Sequence, residues 1–471
     1  MLTRKERDPL GEKEVPRDAY YGIQTLRAAE NFQITNLRIH PELIKSLAYV
    51  KKAAASVNIE IGMLNEKIGK AIIQATDEVI NGSLNEEFIV DALQGGAGTS
   101  INMNMNEVLA NRAIEILGGE KGDYSLVHPN NHVNMGQSTN DVYPTAIRIT
   151  AIKLLRRALE ELSSMYGALT RKSGEFDHII KMGRTQLQDA VPIRLGQEFG
   201  AYASAIKRDI RRIKETVADL KVVNLGATAI GTGLNADHEY VNNVTRRLNE
   251  LTGLDLTQAD DLIDATQNAD ALVEVSSALK TCAVNLSKIA SDLRLLSSGP
   301  RAGLNEINLP AVPPGSSIMP GKVNPVIPEV VNQIAYQIIG NDTTITMAAE
   351  SGQLELNVMI PVLTFNLFQS IEILKNGVKT FTEKAIEGIT VNEERCKELV
   401  DKSVSIITAI NPHVGYEVAS RIAKKALKTG KSVKELILEE GVLNEEELKL
   451  ILNPYEMTEP GIAGKELLEG H

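Results

Sequence analysis

The side chains best equipped for chemistry fall in four short polar segments of this 471-residue chain. At 315–325 the sequence reads Gly-Ser-Ser-Ile-Met-Pro-Gly-Lys-Val-Asn-Pro, with two hydroxyls, an amine and an amide set among glycines and prolines. Glycine and proline there exclude a regular helix or strand, so the segment is a loop. Taken alone, its turn residues also suit a plain connector. The segment 94–104 reads Gln-Gly-Gly-Ala-Gly-Thr-Ser-Ile-Asn-Met-Asn. Its glycines let the backbone approach a ligand, and Thr99 or Ser100 is expected to cap the helix that follows. A third segment, 134–141, is Asn-Met-Gly-Gln-Ser-Thr-Asn-Asp, rich in favoured N-caps and placed ahead of a long helix expected from about Pro144. The fourth, 181–192, is a polar turn region ending at Pro192. Each lies at a helix end, where unpaired N–H groups and the positive end of the dipole hold anions. A negatively charged substrate fits that chemistry.

Long helices must position these segments. Ile147, Ala151, Leu154, Ala158, Leu162, Met165 and Leu169 recur at threes and fours. Phe199, Ala203, Ile206, Ile210, Ile213, Val217 and Leu220 do the same, as do Val275, Leu279, Cys282, Leu286, Ile289, Leu293 and Leu296. Further helical runs begin at Ile327 and Leu354. Spacing of about 3.5 residues describes helices packed nearly parallel. The expectation is an all-α chain of three domains around a central five-helix bundle: 1–140, 141–395 with the 315–325 loop, and 396–471, a small helical domain. The first forty residues read as an extended arm with little regular structure. No convincing strand alternation separates the five helices. Gly231-Thr232-Gly233 lacks both a βαβ context and a third glycine, so it is no dinucleotide fingerprint.

Composition narrows the classes. The chain is long enough for a large core, and 43% of it is hydrophobic, which excludes disorder. A formal charge of −11 argues against nucleic-acid or anionic-membrane binding, while leaving room for a locally positive site. Two distant cysteines, Cys282 and Cys396, give neither a disulfide framework nor metal-ligand spacing. The N-terminus has no signal-peptide pattern, and no segment approaches the roughly 18 apolar residues of a membrane span. A soluble, cytoplasmic protein is expected.

The 315–325 sequence resembles the signature of the aspartase/fumarase superfamily, and the other three polar segments resemble its remaining active-site regions in the right order. The resemblance extends from Asp18-Ala19-Tyr20-Tyr21-Gly22 to Asn453-Pro454-Tyr455-Glu456-Met457. Within the superfamily it looks closest to the aspartate ammonia-lyases, through Ser298-Gly299-Pro300-Arg301-Ala302-Gly303-Leu304 and Leu356-Asn357-Val358-Met359. It implies β-elimination of ammonia from L-aspartate to give fumarate. It also implies a homotetramer with a twenty-helix core and active sites shared by three subunits. The sequence shows no organic-cofactor motif, and no metal ligand is assigned among the site residues. By position, Ser316 matches the base that takes the Cβ proton. Thr99, Ser138, Thr139 and Ser317 match the groups on the β-carboxylate, which gains charge as an enediolate-like species. Lys322, Asn324 and Thr185 match the α-carboxylate positions, and Asn140 the one that holds the amino group.

Two departures stand out. Gln186 occupies the place of a histidine in many superfamily members, fumarases included. Glutamine does not exchange a proton at neutral pH, which favours loss of ammonia over loss of hydroxide. Ile360 stands where aspartases usually carry glutamate. Asn102 and Asn104 suit either site lining or buried structural bonding, while His132 and His413 read as structural. The rival functions are fumarate hydratase and a non-catalytic helical scaffold of the lens type.

Overall fold

The computed structural model describes residues 2–312, 319 and 321–468. A hairpin of β1 (Thr3–Asp8) and β2 (Gly11–Pro16) precedes α1 (Ile23–Asn31), α2 (Pro41–Glu60), α3 (Glu66–Ile80) and α4 (Thr99–Ile116). Next come α5 (Thr139–Glu175), a second hairpin of β3 (Ile180–Thr185) and β4 (Gln188–Arg194), and α6 (Leu195–Leu220). A two-residue strand, β5 (Val222–Val223), leads to α7 (His238–Thr252), β6 (Thr257–Gln258), α8 (Leu262–Gln267) and α9 (Asp270–Leu296). Then follow β7 (Ile307–Asn308), α10 (Val326–Glu350), α11 (Ile360–Lys384) and β8 (Thr390–Val391). The chain ends in short helices: α12 (Glu393–Lys402), α13 (Ile407–Val414), α14 (Tyr416–Thr429), α15 (Val433–Glu439) and α16 (Glu445–Ile451).

The five long helices expected from the periodicity are α5, α6, α9, α10 and α11. Of the positions named for them, Leu154, Leu162, Ile206, Ile213, Leu279 and Leu293 are fully buried, whereas Ile210 and Val217 are only partly buried and Leu354 is exposed ahead of α11. This is the all-α architecture that the spacing required. Two compact units divide the chain: Met1–Glu160, Arg211–Ala283 and Tyr336–Lys375 in the first, and Glu161–Ile210, Val284–Ala335 and Asn376–His471 in the second. The division falls within each of the five long helices. The short helices after α12 close on a core of Ile410, Ile422, Leu436, Ile437, Leu448 and Ile451 that also takes in Met182 of β3. No helix among the described residues is long and apolar enough to cross a membrane.

The N-terminal segment differs from the expected arm. It forms a hairpin and a helix because buried carboxylates satisfy its backbone. Glu107 of α4, 1% exposed, accepts N–H groups from Gly22, Gln24 and Thr25 and the Thr25 hydroxyl at 2.6–3.0 Å. It does for the start of α1 what a local N-cap would do. Glu6, also buried, takes Ile23 N–H and Arg4. Glu107→Ala would strand four donors worth about 1–3 kcal/mol each when unmet, so with partial rehydration we expect a loss of roughly 3–5 kcal/mol in urea denaturation.

Candidate active site

The first unit gathers Thr99, Ser138, Thr139 and Asn140 at the starts of α4 and α5. Gly98, with φ +93°, is the residue before α4, and no side chain caps it. Glycine is required because a Cβ there would stand 2.4 Å from the Tyr143 ring on α5. Thr99 is therefore the first helical residue rather than the cap, and its hydroxyl donates to Gly96 O at 2.7 Å. One turn on, Asn102 Nδ2 donates to Thr139 Oγ1 at 3.2 Å, which joins the two helix starts.

Helix α5 begins at Thr139, five residues earlier than Pro144 suggested. Ser138 holds this end: its hydroxyl accepts Asn140 N–H at 3.2 Å, and its own N–H donates to Asp141 Oδ1 at 2.9 Å. Pro144 lies inside the helix and leaves the Asn140 carbonyl without its i+4 donor. Asn224, 1% exposed, replaces that donor through Nδ2 at 3.0 Å. The 224–235 turn region is thus bound to the third polar segment.

Beneath this surface lies a buried polar cluster that the sequence reading missed. Lys51 of α2 is fully buried, and its amine donates to Asn134 Oδ1 at 2.9 Å and Gln137 Oε1 at 3.0 Å. Asn134 Oδ1 also accepts from Asn102 and Asn106. Asn58 Nδ2 holds the Met135 carbonyl at 3.1 Å. Burial lowers the Lys51 amine to about 7, against the pull of the Asp141 charge. Burial pushes the Asp141 carboxyl up to about 6, against its backbone hydrogen bonds and Lys51. The signal for Lys51 was present but easily passed over: a lysine on the same face of α2 as Leu47, Ala48, Ala54 and Ala55, all buried.

Asn104 is structural, bonded to Ile89 N–H and Glu87 O. His132 accepts His128 N–H, and His413 Nε2 pairs with the Ala463 carbonyl. Ile360 is 8% exposed and lines a cavity of about 20 Å³ with Ala97, Asn140, Arg148 and Asn357, room for about one water.

The second unit holds Thr185, Gln186, Lys322 and Asn324. The expected turn region at 181–192 is a β-hairpin with a two-residue connection, Gln186 and Leu187, at φ +55° and +61°. Positive φ at both positions is what a tight hairpin of this twist needs, and it places Thr185 and Gln186 on an exposed tip. Charge fixes its β3 strand. Glu306, wholly buried, takes Arg184 Nη1 on both oxygens at 3.0 Å and lies 3.5 Å from Lys181 Nζ. Lys181 also reaches Glu198 at 3.1 Å. Lys322 is exposed and Asn324 half-buried just before α10. Ser316 and Ser317 lie outside the described residues.

A family model described as "Lyase" matches residues 11–340, and one described as "Fumarase C C-terminus" matches 406–459. The aspartate ammonia-lyase of Bacillus subtilis (strain 168) is 61% identical over 99% of this chain and 98% of its own. The chain belongs to the aspartate ammonia-lyase family. Its fold is shared with a solved fumarate lyase:delta crystallin from Brucella melitensis, at 50% identity and TM-score 0.95, covering 98% of this chain and 100% of that one. A class II fumarase from Schistosoma mansoni is 37% identical at TM-score 0.93, over 98% of this chain and 100% of that one.

Lys51 makes stability depend on pH with a definite sign. The unfolded chain keeps this proton up to its ordinary 10.5, while the folded chain releases it near 7. The unfolded state binds more protons across that window, so unfolding free energy rises with pH there, by at most about 1.4 kcal/mol per unit. Urea denaturation at about pH 7.5 and pH 9 should show this rise in the wild type and a flatter response in Lys51→Met.

Proposed function

We infer that the chain is an aspartate ammonia-lyase, a carbon–nitrogen lyase that converts L-aspartate reversibly to fumarate and ammonia. The full-length match at 61% identity carries the reading. The joined starts of α4 and α5 support it, since two helix N-termini with hydroxyls and an amide suit a dicarboxylate.

The mechanism we propose assigns Ser316 as the base. A neutral serine is too weak, so it acts as an alkoxide held by loop N–H groups and the Lys322 charge in a closed, dry site. It removes the Cβ proton, and the electron pair enters the β-carboxylate as an enediolate. Thr99, Ser138, Thr139 and Ser317 donate to that carboxylate, where charge grows toward the transition state. Thr185, Lys322 and Asn324 hold the α-carboxylate, and Asn140 the amino group. Collapse of the enediolate forms the C=C bond as the Cα–N bond breaks. The nitrogen departs already protonated, so Gln186 need not supply an acid.

The assembly we propose is a cytoplasmic homotetramer whose active sites draw on three subunits. Helix α10 supports it: Tyr336 and Met347 are each 63% exposed and Ile339 36%, an apolar stripe that favours burial. The three-domain division at 140 and 395 remains our reading of the chain's organisation, supported at its first boundary by α5 starting at Thr139.

Fumarate absorbance decides the activity. L-aspartate is expected to release fumarate and L-malate not to; fumarate from malate alone would make the chain a hydratase, and none from either a scaffold. Ser316→Ala should lower kcat by about a thousandfold or more, and full turnover in that variant would remove the base assignment. Sedimentation at micromolar concentration should give a tetramer, and Tyr336→Glu with Met347→Glu should dissociate it.

A further inference from the structure

The amide of Asn140 is held in one orientation. Its Nδ2 donates to the Ala229 carbonyl at 2.7 Å. A carbonyl can only accept, so the nitrogen must face Ala229 and Oδ1 must point away from it. No described residue donates to that oxygen. An ammonium group offers only donors, so the exposed end of the amide matches it and the other end would not.

What holds Ala229 is unusual. Thr228, a β-branched residue, has φ +57°, in the left-handed region that such side chains rarely enter, and Gly226 has φ +98°. The N–H groups of Gly226 and Thr228 both donate to Asp141 Oδ2, at 3.0 and 3.2 Å. The other oxygen takes Ser138 N–H, and the carboxylate is fully buried. Asn224 Nδ2 ties the same turn to the Asn140 carbonyl. The turn is strained, and its strained amide is bonded to a carboxylate one residue after the asparagine it orients.

We propose that the 226–229 turn, braced on the buried Asp141 carboxylate, sets which end of the Asn140 amide meets the substrate, so that Asp141 and Thr228 are positioning residues for recognition of the amino group. This rests on the ammonia-lyase reading above. Neither residue touches substrate; both act through the Ala229 carbonyl. If the brace is loosened, the amide can turn its nitrogen outward, and binding of the amino group suffers while binding of the two carboxylates does not.

Succinate has both carboxylates and no amino group, which makes it the control. For Asp141→Asn we expect KM for L-aspartate to rise at least ~10-fold, while the competitive Ki of succinate stays within ~3-fold. Thr228→Gly removes the side chain that strains the turn, so its unfolding midpoint should not fall; KM for L-aspartate should rise ~3-fold or more, again without a matching change for succinate. If Asp141→Asn fails to fold, Thr228→Gly decides. An unchanged ratio of aspartate to succinate affinity in a folded variant, whether both constants move together or neither moves, overturns the proposal. Wild-type release of fumarate from L-aspartate tests the underlying reading separately. Should it fail, the same ratio is read from the ligand-induced shift of the unfolding midpoint, which needs no turnover.

Discussion

A buried carboxylate that accepts three backbone N–H groups governs the candidate site. Asp141 is fully removed from water, and its oxygens are satisfied by Ser138 on one side and by Gly226 and Thr228 on the other. Leaving such a charge unmet would be far more costly than any single surface contact, so the two segments cannot separate without breaking the bonds to Gly226 and Thr228 together. The start of α5, with Ser138, Thr139 and Asn140, inherits its position from that constraint.

The same logic recurs wherever the chain carries a site residue on irregular backbone. Lys51 reaches from α2 to hold Asn134 and Gln137, so the turn before α5 is bonded from inside as well as from its flank. Glu306 holds Arg184 and approaches Lys181 along β3, the strand that leads to the tip bearing Thr185 and Gln186. Glu107 performs the service for the start of α1. Helices packed through Ala, Leu, Ile and Val supply rigid rods, but rods do not orient loops. Buried charged groups with several hydrogen bonds do, because each fixes more than one direction at once.

Much of this was legible before any coordinates. The five long helices follow from apolar residues every three or four positions, and only burial on one face explains such a pattern. The polar segments at 94–104 and 134–141 were recognisable as helix starts, and Ser138 caps α5 as its type predicts. Elsewhere local rules misled. Thr99 offers a capping hydroxyl that Gly98 lacks, yet the Tyr143 ring leaves space only for glycine at the position before the helix. Pro144 suggested a helix start, but Asn224 from 80 residues later supplies the missing donor and the helix runs through it. The 181–192 region carried no strand alternation, because its pairing is set by a two-residue turn and charged contacts along β3 rather than by a hydrophobic face.

The sequence by itself determined the helical class, the chemistry of the four polar segments and, by resemblance, the family. Those depend on residue type and short-range spacing, which the sequence displays directly. Only the tertiary structure decided which groups hold the site residues in place. Lys51, Asp141 and the turn carrying Asn224 and Ala229 come from separate stretches of the chain, and a buried lysine reads like any other until its surroundings are known. The orientation of the Asn140 amide is the sharpest instance. It depends on one carbonyl 89 residues away, and no local pattern encodes where that carbonyl will point.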